Sequence, residues 1–334
     1  MSRVGRNLGL VVASTLLTLV VAEFAWRVYL RSTGRGFLDD PTEFVSPFFT
    51  GIDEPRPIFQ GNRLQYRGGD VDREKASDEI RVICFGGSTT VCEFAGIGYT
   101  DVLERRFGEA KKGYRVRVLN AGGVGYSTAH ILVNLGLRNL DAQPDIVTVY
   151  ENVNDLSAVW FGEGEVLPDY AQKYRSDSYL GMRHRVGPLP AIAKASRLAR
   201  FLFSRIQSIE FPGDPPKNGR ADYTRGLEIF RRNLKSIVAV ARAHHVRVLL
   251  ASQPARSDWR ANEGSIAFNR AVAEVARDEG VAFADVARAV TDDGLFAPND
   301  AIHYNRAGVA AVAEAFYEPL RAEVEEVAGS RGLR

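Results

Sequence analysis

From residue 80 onward, five short apolar runs alternate with stretches of helical period. The runs are "IRVICF" (80–85), "VRVLNAG" (116–122), "DIVTVY" (145–150), "VRVLLASQ" (246–253) and the shorter "VAFADV" (281–286). Between and after them lie "YTDVLERRFGEAKKG" (99–113), "STAHILVNLGLRNL" (127–140), "RGLEIFRRNLKSIVAVARAHH" (225–245), "IAFNRAVAEVARDEG" (266–280) and "NRAGVAAVAEAFYEPLRAEVEEVA" (305–328). In the first of these, Val102, Leu103, Arg106 and Phe107 fall at helical spacing, with Gly113 as the expected stop. Ser127 or Thr128 is a fitting cap for the second. Strands separated by helices pair in parallel, and a parallel sheet needs helices on both faces. "DIVTVY" is hydrophobic throughout, as a strand covered on both faces should be. No internal repeat is visible. The chain of 334 residues is 45% hydrophobic, ample for a core of this kind.

Such a sheet binds ligands at the carboxyl ends of its strands. Gly86, Gly87, Ser88 and Thr89 follow the first strand, and Asn120, Gly122, Gly123 and Gly125 end or follow the second. Asn152, Asn154 and Asp155 follow the third, and Gln253 ends the fourth. Asp300 and His303 lie past the fifth, before the closing helix. The fold brings all of these to one rim.

A serine hydroxyl is a weak nucleophile until a base takes its proton. Ser88 is the candidate nucleophile and His303 the candidate base. Asp300, three residues earlier, is within reach to hold one imidazole tautomer. Attack on an ester carbonyl builds an oxyanion, which needs donors already in place. The Ser88 N–H, the Gly125 N–H and the Asn154 amide are the candidates. Each piece alone has a blander reading. Gly-Gly-Ser-Thr makes turns and phosphate nests, and Asn-Asp at a strand end caps helices. The other histidines have ordinary places: His130 on a helix, His184 in a basic loop, and His244 and His245 at a helix end. The joint pattern, in order and at successive strand ends, is the specific signal.

With "FGGSTT" at Ser88, "NAGGVGYST" at Gly125, "NVND" at Asn154 and "DAIH" at Asp300 and His303, the chain resembles the SGNH (GDSL-like) hydrolase family over about residues 80–325. The resemblance implies an α/β fold, a flavodoxin-like α/β/α sandwich. It also implies esterase chemistry through Ser88, His303 and Asp300, with Ser88, Gly125 and Asn154 lining the oxyanion hole. Two positions depart from the family pattern. Gly87 stands where Asp is frequent, and Asn152 where Gly is frequent.

The N-terminus carries a separate signal. "NLGLVVASTLLTLVVAEFAW" (7–26) is almost wholly apolar, with Glu23 its one acid. Arg3 and Arg6 precede it; Arg27 and Arg31 stop it. At about 1.5 Å per residue, Leu8 to Trp26 nearly crosses a hydrocarbon core of about 30 Å. Trp26 and Tyr29 then fall at an interface, where aromatic rings favour the headgroups. A cleaved signal peptide lacks its A-x-A site here, and a buried soluble helix needs no flanking arginines. The expectation is one transmembrane helix that is a single-pass anchor in the cell membrane, touching the bilayer through residues 8–30. The catalytic domain is expected on the extracytoplasmic (periplasmic) side, although the arginine counts on the two flanks nearly tie.

The expected organisation is a membrane anchor (1–31), a juxtamembrane connector (32–79) and a hydrolase domain (80–328) carrying an insertion (156–224). Within the connector, "FVSPFFTGI" (44–52) is expected to pack on the main domain. Within the insertion, "AIAKASRLARFLFSRIQSIEF" (191–211) is amphipathic, and "FPGDPPKNGR" (211–220) reads as an exposed loop. The amphipathic helix would cover the sheet, act as a lid, or rest on anionic lipid.

A net charge of +2 gives no electrostatic footprint for nucleic acid. Cys84 sits in an apolar run and reads as a small hydrophobe; with Cys92 alone it makes no disulfide framework. No Cys/His cluster has zinc spacing, so neither metal nor cofactor is implied. The expected activity is that of a serine esterase removing an acyl group, such as acetyl, from an envelope carbohydrate or lipid. The carbohydrate part rests on family analogy and location. The alternatives are an acyltransferase using the same residues on a glycan acceptor, and a non-catalytic scaffold in a membrane complex. The intact set Ser88, Asn154, Asp300 and His303 argues against the last.

Overall fold

The structure is a computed structural model. It describes residues 3–33, 66, 72–92, 95–110, 112–160, 166–170, 173, 196, 198–199, 223–298 and 300–333. The stretches 44–52 and 211–220 lie outside these residues, as do most of the connector 32–79 and nearly all of 191–211.

The chain divides into two units. One contains helix α1 (Arg3–Thr33). Its segment Gly9–Tyr29 is long and apolar enough to cross a membrane, a description a signal sequence also meets. Leu10, Leu17, Val20 and Phe24 are exposed, the pattern of a helix without an aqueous-core partner. Hydroxyl groups along it bond to the backbone of the preceding turn. Ser14 and Thr15 donate to Val11 O, and Thr18 donates to Ser14 O. Arg27 pairs with Glu23 at 2.6 Å, and Glu23 also accepts from the Ser196 hydroxyl and the Leu198 N–H, each at 2.8 Å. Trp26 stacks on Tyr29 with centroids 5.4 Å apart.

The second unit is built on β1 (Glu79–Gly86), β2 (Arg115–Asn120), β3 (Ile146–Tyr150), β4 (Arg247–Ala251) and β5 (Ala282–Ala284). All pairings are parallel, in the order β2-β1-β3-β4-β5. This is the flavodoxin-like order, whose switch point lies between β1 and β3. Its helices include α2 (Ser88–Val91), α3 (Tyr99–Glu109), α4 (Thr128–Asn134), α5 (Val153–Trp160), α6 (Tyr223–Ala243), α7 (Glu263–Glu279) and α8 (Arg306–Ser330). Helices α3 and α8 cover one face; α4, α5, α6 and α7 pack on the other. Alternate strand residues serve the two faces. Ile80, Val82 and Cys84 join Leu103, Phe107, Val312 and Phe316 in one cluster, while Ile83, Val147 and Leu250 are buried on the opposite side. Cys84 and Cys92 are both buried, with no disulfide between them.

Three of the departures from the expected boundaries have a plain physical reason. Helix α3 stops at Glu109, because Phe107 is its last buried apolar residue and nothing in Lys111–Gly113 extends that face. The expected helix over 127–140 is α-helical only to Asn134, then passes through a π-helical turn at Leu135–Asn139 and a 3₁₀ turn at Leu140–Ala142. There the amides of Asn134 and Asn139 take the carbonyls of His130 and Asn134, competing with the regular ladder. Strand β5 is only three residues long, because Asp285 turns out of the sheet to bind the Ser252 hydroxyl at 2.8 Å.

Candidate active site

Strand β1 is wholly buried and delivers its end, Gly86, between Tyr150 of β3 and the loop after β2. The chain then turns into α2. Gly87 O accepts from Thr90 N and Val91 N, which leaves Ser88 as the first helical residue. The Ser88 hydroxyl lies 2.7 Å from His303 Nε2. On the far side of the ring, Nδ1 lies 2.7 Å from Asp300 Oδ2. The other carboxylate oxygen, Oδ1, accepts from the backbone N–H groups of Ile302 and His303 at 2.9 and 2.8 Å. Burial pushes Asp300 upward, but the His303 ring and these N–H groups outweigh it and hold the acid below its ordinary range. Side-chain exposures of 19% for His303 and 23% for Asp300 leave the ring within reach of a bound molecule.

The His303 loop is fixed from several directions. The Tyr304 hydroxyl meets that of Tyr150 at 2.6 Å, tying the loop to the end of β3. His303 O accepts from Ala297 N, and Asn305 caps α8 through Gly308 N while donating to Gly294 O and Phe296 O. Gln253 braces the other side. Its amide nitrogen donates to Thr89 Oγ1 at 2.8 Å, and its oxygen accepts from Asn152 N and Val153 N. Asn269 completes the brace, accepting from Asn152 Nδ2 and Gln253 N and donating to Gln253 O.

Gly125 has φ +74° in the turn that Tyr126 N closes onto Gly123 O, a conformation that favours glycine. Gly123 N in the same loop donates to Gly86 O, so the loop lies against the end of β1. The Asn154 amide nitrogen donates to Tyr126 O at 3.0 Å. It also borders Gly87: a Cβ on Gly87 would lie 2.4 Å from it. The structure thus joins Ser88, His303 and Asp300 by direct hydrogen bonds, places Asn154 beside the residue preceding Ser88, and sets Gly125 in the adjoining loop. Chemically, the chain of contacts can pass a proton from hydroxyl to imidazole while Asp300 steadies the resulting charge.

Behind Asn154 lies a buried ionisable cluster of which the sequence reading named only Asp155. Glu151 Oε1 accepts the Asn154 N–H at 2.7 Å; its Oε2 is buried without a hydrogen-bond partner among the described residues. Asp155 accepts from the Thr128 N–H and hydroxyl. The ammonium of Lys173 donates to Asn154 O at 3.0 Å and Asn154 Oδ1 at 3.1 Å. Burial raises Glu151, with the Asp155 charge adding, and lowers Lys173. Burial also pushes Asp155 up to about 6, against the Thr128 hydrogen bonds and Lys173. Asn269 could have been noticed only from its contacts. Glu151 carried a signal, being a charge directly after a fully apolar strand, and Lys173 carried none. Among the described residues, no group of three or more His, Cys, Asp or Glu side chains is placed to hold a metal ion.

A doubly wound sheet with a Ser–His–Asp contact chain at its switch point has the form of an esterase-type hydrolase. The sequence matches the model of the GDSL-like Lipase/Acylhydrolase family over residues 84–311, well over half of the chain, and the chain belongs to that family. It is a hydrolase of this class. Similar solved structures include a lipase/acylhydrolase from Enterococcus faecalis, at 16% identity and a TM-score of 0.47, covering 76% of this chain and 97% of that one. They also include LAE5, an alpha/beta hydrolase from the metagenome of Lake Arreo, at 16% identity and a TM-score of 0.47, covering 73% and 96%. A third is the acetylxylan esterase Axe2 from Geobacillus stearothermophilus, at 14% identity and a TM-score of 0.45, covering 73% and 96%. No curated protein matches the sequence.

Proposed function

We propose that the protein is a serine esterase that removes an O-acyl group, such as acetyl, from an envelope carbohydrate or lipid. The observation that carries this reading is the unbroken contact chain Ser88 Oγ–His303 Nε2 and His303 Nδ1–Asp300 Oδ2, each 2.7 Å. Ser88 Oγ attacks the ester carbonyl as His303 Nε2 takes its proton. The tetrahedral oxyanion is stabilised by the N–H groups of Ser88 and Gly125 and by the Asn154 amide. Collapse expels the alcohol, which receives the proton from His303 and leaves acyl-Ser88. Water, activated by the same ring, then releases the carboxylic acid.

The carbohydrate or lipid identity is supported by apolar helix α1, which would hold the domain (80–328) at a bilayer through the anchor (1–31) and connector (32–79), on the extracytoplasmic side. In the insertion (156–224), the described residues Val166, Tyr170 and Lys173 are buried.

The test is covalent labelling of the purified protein by a fluorophosphonate, alongside turnover of an acetyl ester. Wild type should label and turn over, and Ser88→Ala and His303→Ala should lose both. A folded wild type that stays unlabelled sinks the acyl-serine reading. Turnover that rises with added glycan and yields acylated glycan moves the reading from hydrolysis to transfer.

A further inference from the structure

We propose that Lys173 is a positioning residue that sets the polarity of the Asn154 amide, so that its N–H end faces the reacting carbonyl. The inference rests on the reading of Asn154 as an oxyanion donor.

The two ends of a carboxamide have nearly the same shape and opposite chemistry. With Nδ2 toward the site, Asn154 stabilises an oxyanion; with Oδ1 there, it repels one. Something must choose between them. An ammonium group only donates. Lys173 Nζ reaches both Asn154 Oδ1 (3.1 Å) and Asn154 O (3.0 Å), so it can hold only the oxygen end. The nitrogen end is then directed to Tyr126 O at 3.0 Å, a carbonyl that only accepts. One N–H is used there; the nitrogen also borders Gly87, next to Ser88, and the Glu151 carboxyl, a second acceptor that favours the same orientation. The backbone is gripped as well, because Glu151 Oε1 takes the Asn154 N–H at 2.7 Å. The Asn154 residue is thus held at four atoms, two of them by Lys173.

The placement of Lys173 argues for a dedicated role. Its side chain is buried, at a cost that a solvent-facing lysine would not incur. It comes from the segment following α5, where Lys173 N donates to Tyr170 O and Tyr170 has φ +59°. Its charge also opposes Glu151 and Asp155. It favours their ionised forms against the burial that raises both.

The experiment is a double-mutant cycle between Lys173→Met and Asn154→Ala, reading kcat and KM on a soluble acetyl ester with a thermal melt of each variant. Removing one oxyanion donor typically costs about 10²–10³ in kcat, so Asn154→Ala should fall in that range, and Lys173→Met should lose about tenfold or more. KM should change little in both. In the Asn154→Ala background, Lys173→Met should cost less than about twofold, because the two act as one unit. Lys173→Met/Glu151→Gln removes the ionisable acid together with the cation, and covers the case in which Lys173→Met alone does not fold. Its kcat loss must persist, and must vanish in the Asn154→Ala background. If Asn154→Ala is slow but the Lys173 loss is absent or adds in full, the positioning role is overturned while the donor role stands. If Asn154→Ala turns over like wild type, the donor role falls and the positioning role falls with it.

Discussion

Gly87→Ala is the most economical test of how tightly the site is built. Gly87 has a negative φ, −85°, with ψ −150°, so the substitution acts chiefly through its methyl group. That methyl would lie 2.3 Å from Glu151 Oε2 and 2.4 Å from Asn154 Nδ2. Ordinary non-bonded contact needs about 3.5 Å, so about 1 Å must be yielded. Neither neighbour can move freely. Glu151 is buried and holds the Asn154 N–H, and Asn154 is held by Tyr126 O and Lys173. A misplacement of about 1 Å in a reacting constellation costs about 10²-fold. Overpacking of this size costs about 1–3 kcal/mol in stability, less than a domain needs to remain folded. The assay is kcat and KM on p-nitrophenyl acetate, with a thermal melt of the same preparation. The expected result is a folded variant with kcat about 100-fold lower and KM little changed. Gly87→Ala/Glu151→Ala relieves one of the two contacts and should recover part of the loss. A folded Gly87→Ala enzyme with wild-type kcat would refute the claim that the positions of Glu151 and Asn154 matter to the reaction.

His130 predicts an acid limb in stability. Burial, then the charge of Lys173, lower it from 6.5 to about 3, while its ring stacks on Tyr126 and accepts the Ser127 N–H at Nδ1. The folded pKa is depressed, so below 6.5 the unfolded chain binds the extra proton, and stability is lost as pH falls from 6.5 toward 3. At pH 5 the loss is about 2 kcal/mol, from 1.36 kcal/mol per pKa unit. Asp155 works in the opposite sense: raised from 3.8 to about 6, it costs stability as pH rises through that window, and it is common to both proteins compared. Urea melts at pH 7 and pH 5 should therefore show a smaller decline for His130→Gln than for wild type; equal declines would contradict the assignment. For α1, the full-length chain should stay in the membrane pellet after an alkaline wash with its N-terminal residues intact. A soluble chain starting beyond residue 33 would make the segment a cleaved signal instead.

The strands, their order of use and the polar residues at their ends were legible because each rests on local pattern. A buried strand such as Ile146–Tyr150 must be apolar on both faces, and the residues that follow it must emerge at one rim. The less legible features depend on side chains meeting across the fold. Asn134 and Asn139 bend the end of α4 through their own carbonyl contacts, which a helical period of apolar residues does not reveal. Lys173 sits in a polar stretch, "YAQKYRSD", that reads as solvated surface; its burial follows only from Asn154, Glu151 and Asp155 being on the other side. Asn269 lies on the predicted helix 266–280, but nothing in its spacing shows that it would complete the Gln253 brace.

The departure at Gly87 then has a physical reason. Where the family pattern often has an acid before the serine, this chain has no side chain, and the space is taken by a residue just past the neighbouring strand β3. The Glu151 carboxylate comes within 2.3 Å of where a Gly87 Cβ would stand. Two acids cannot share that volume, and two buried carboxylates in contact could not both ionise. In this chain the absence of a side chain at 87 is what leaves room for the Glu151 carboxyl. That arrangement brings a consequence for the site. A carboxylate rooted at the end of β3 grips the backbone of Asn154 directly, which an acid rooted at 87 would approach from the other side. The buried Lys173 lies against the same residue, on Asn154 O and Oδ1, so acid and base grip Asn154 from within the protein.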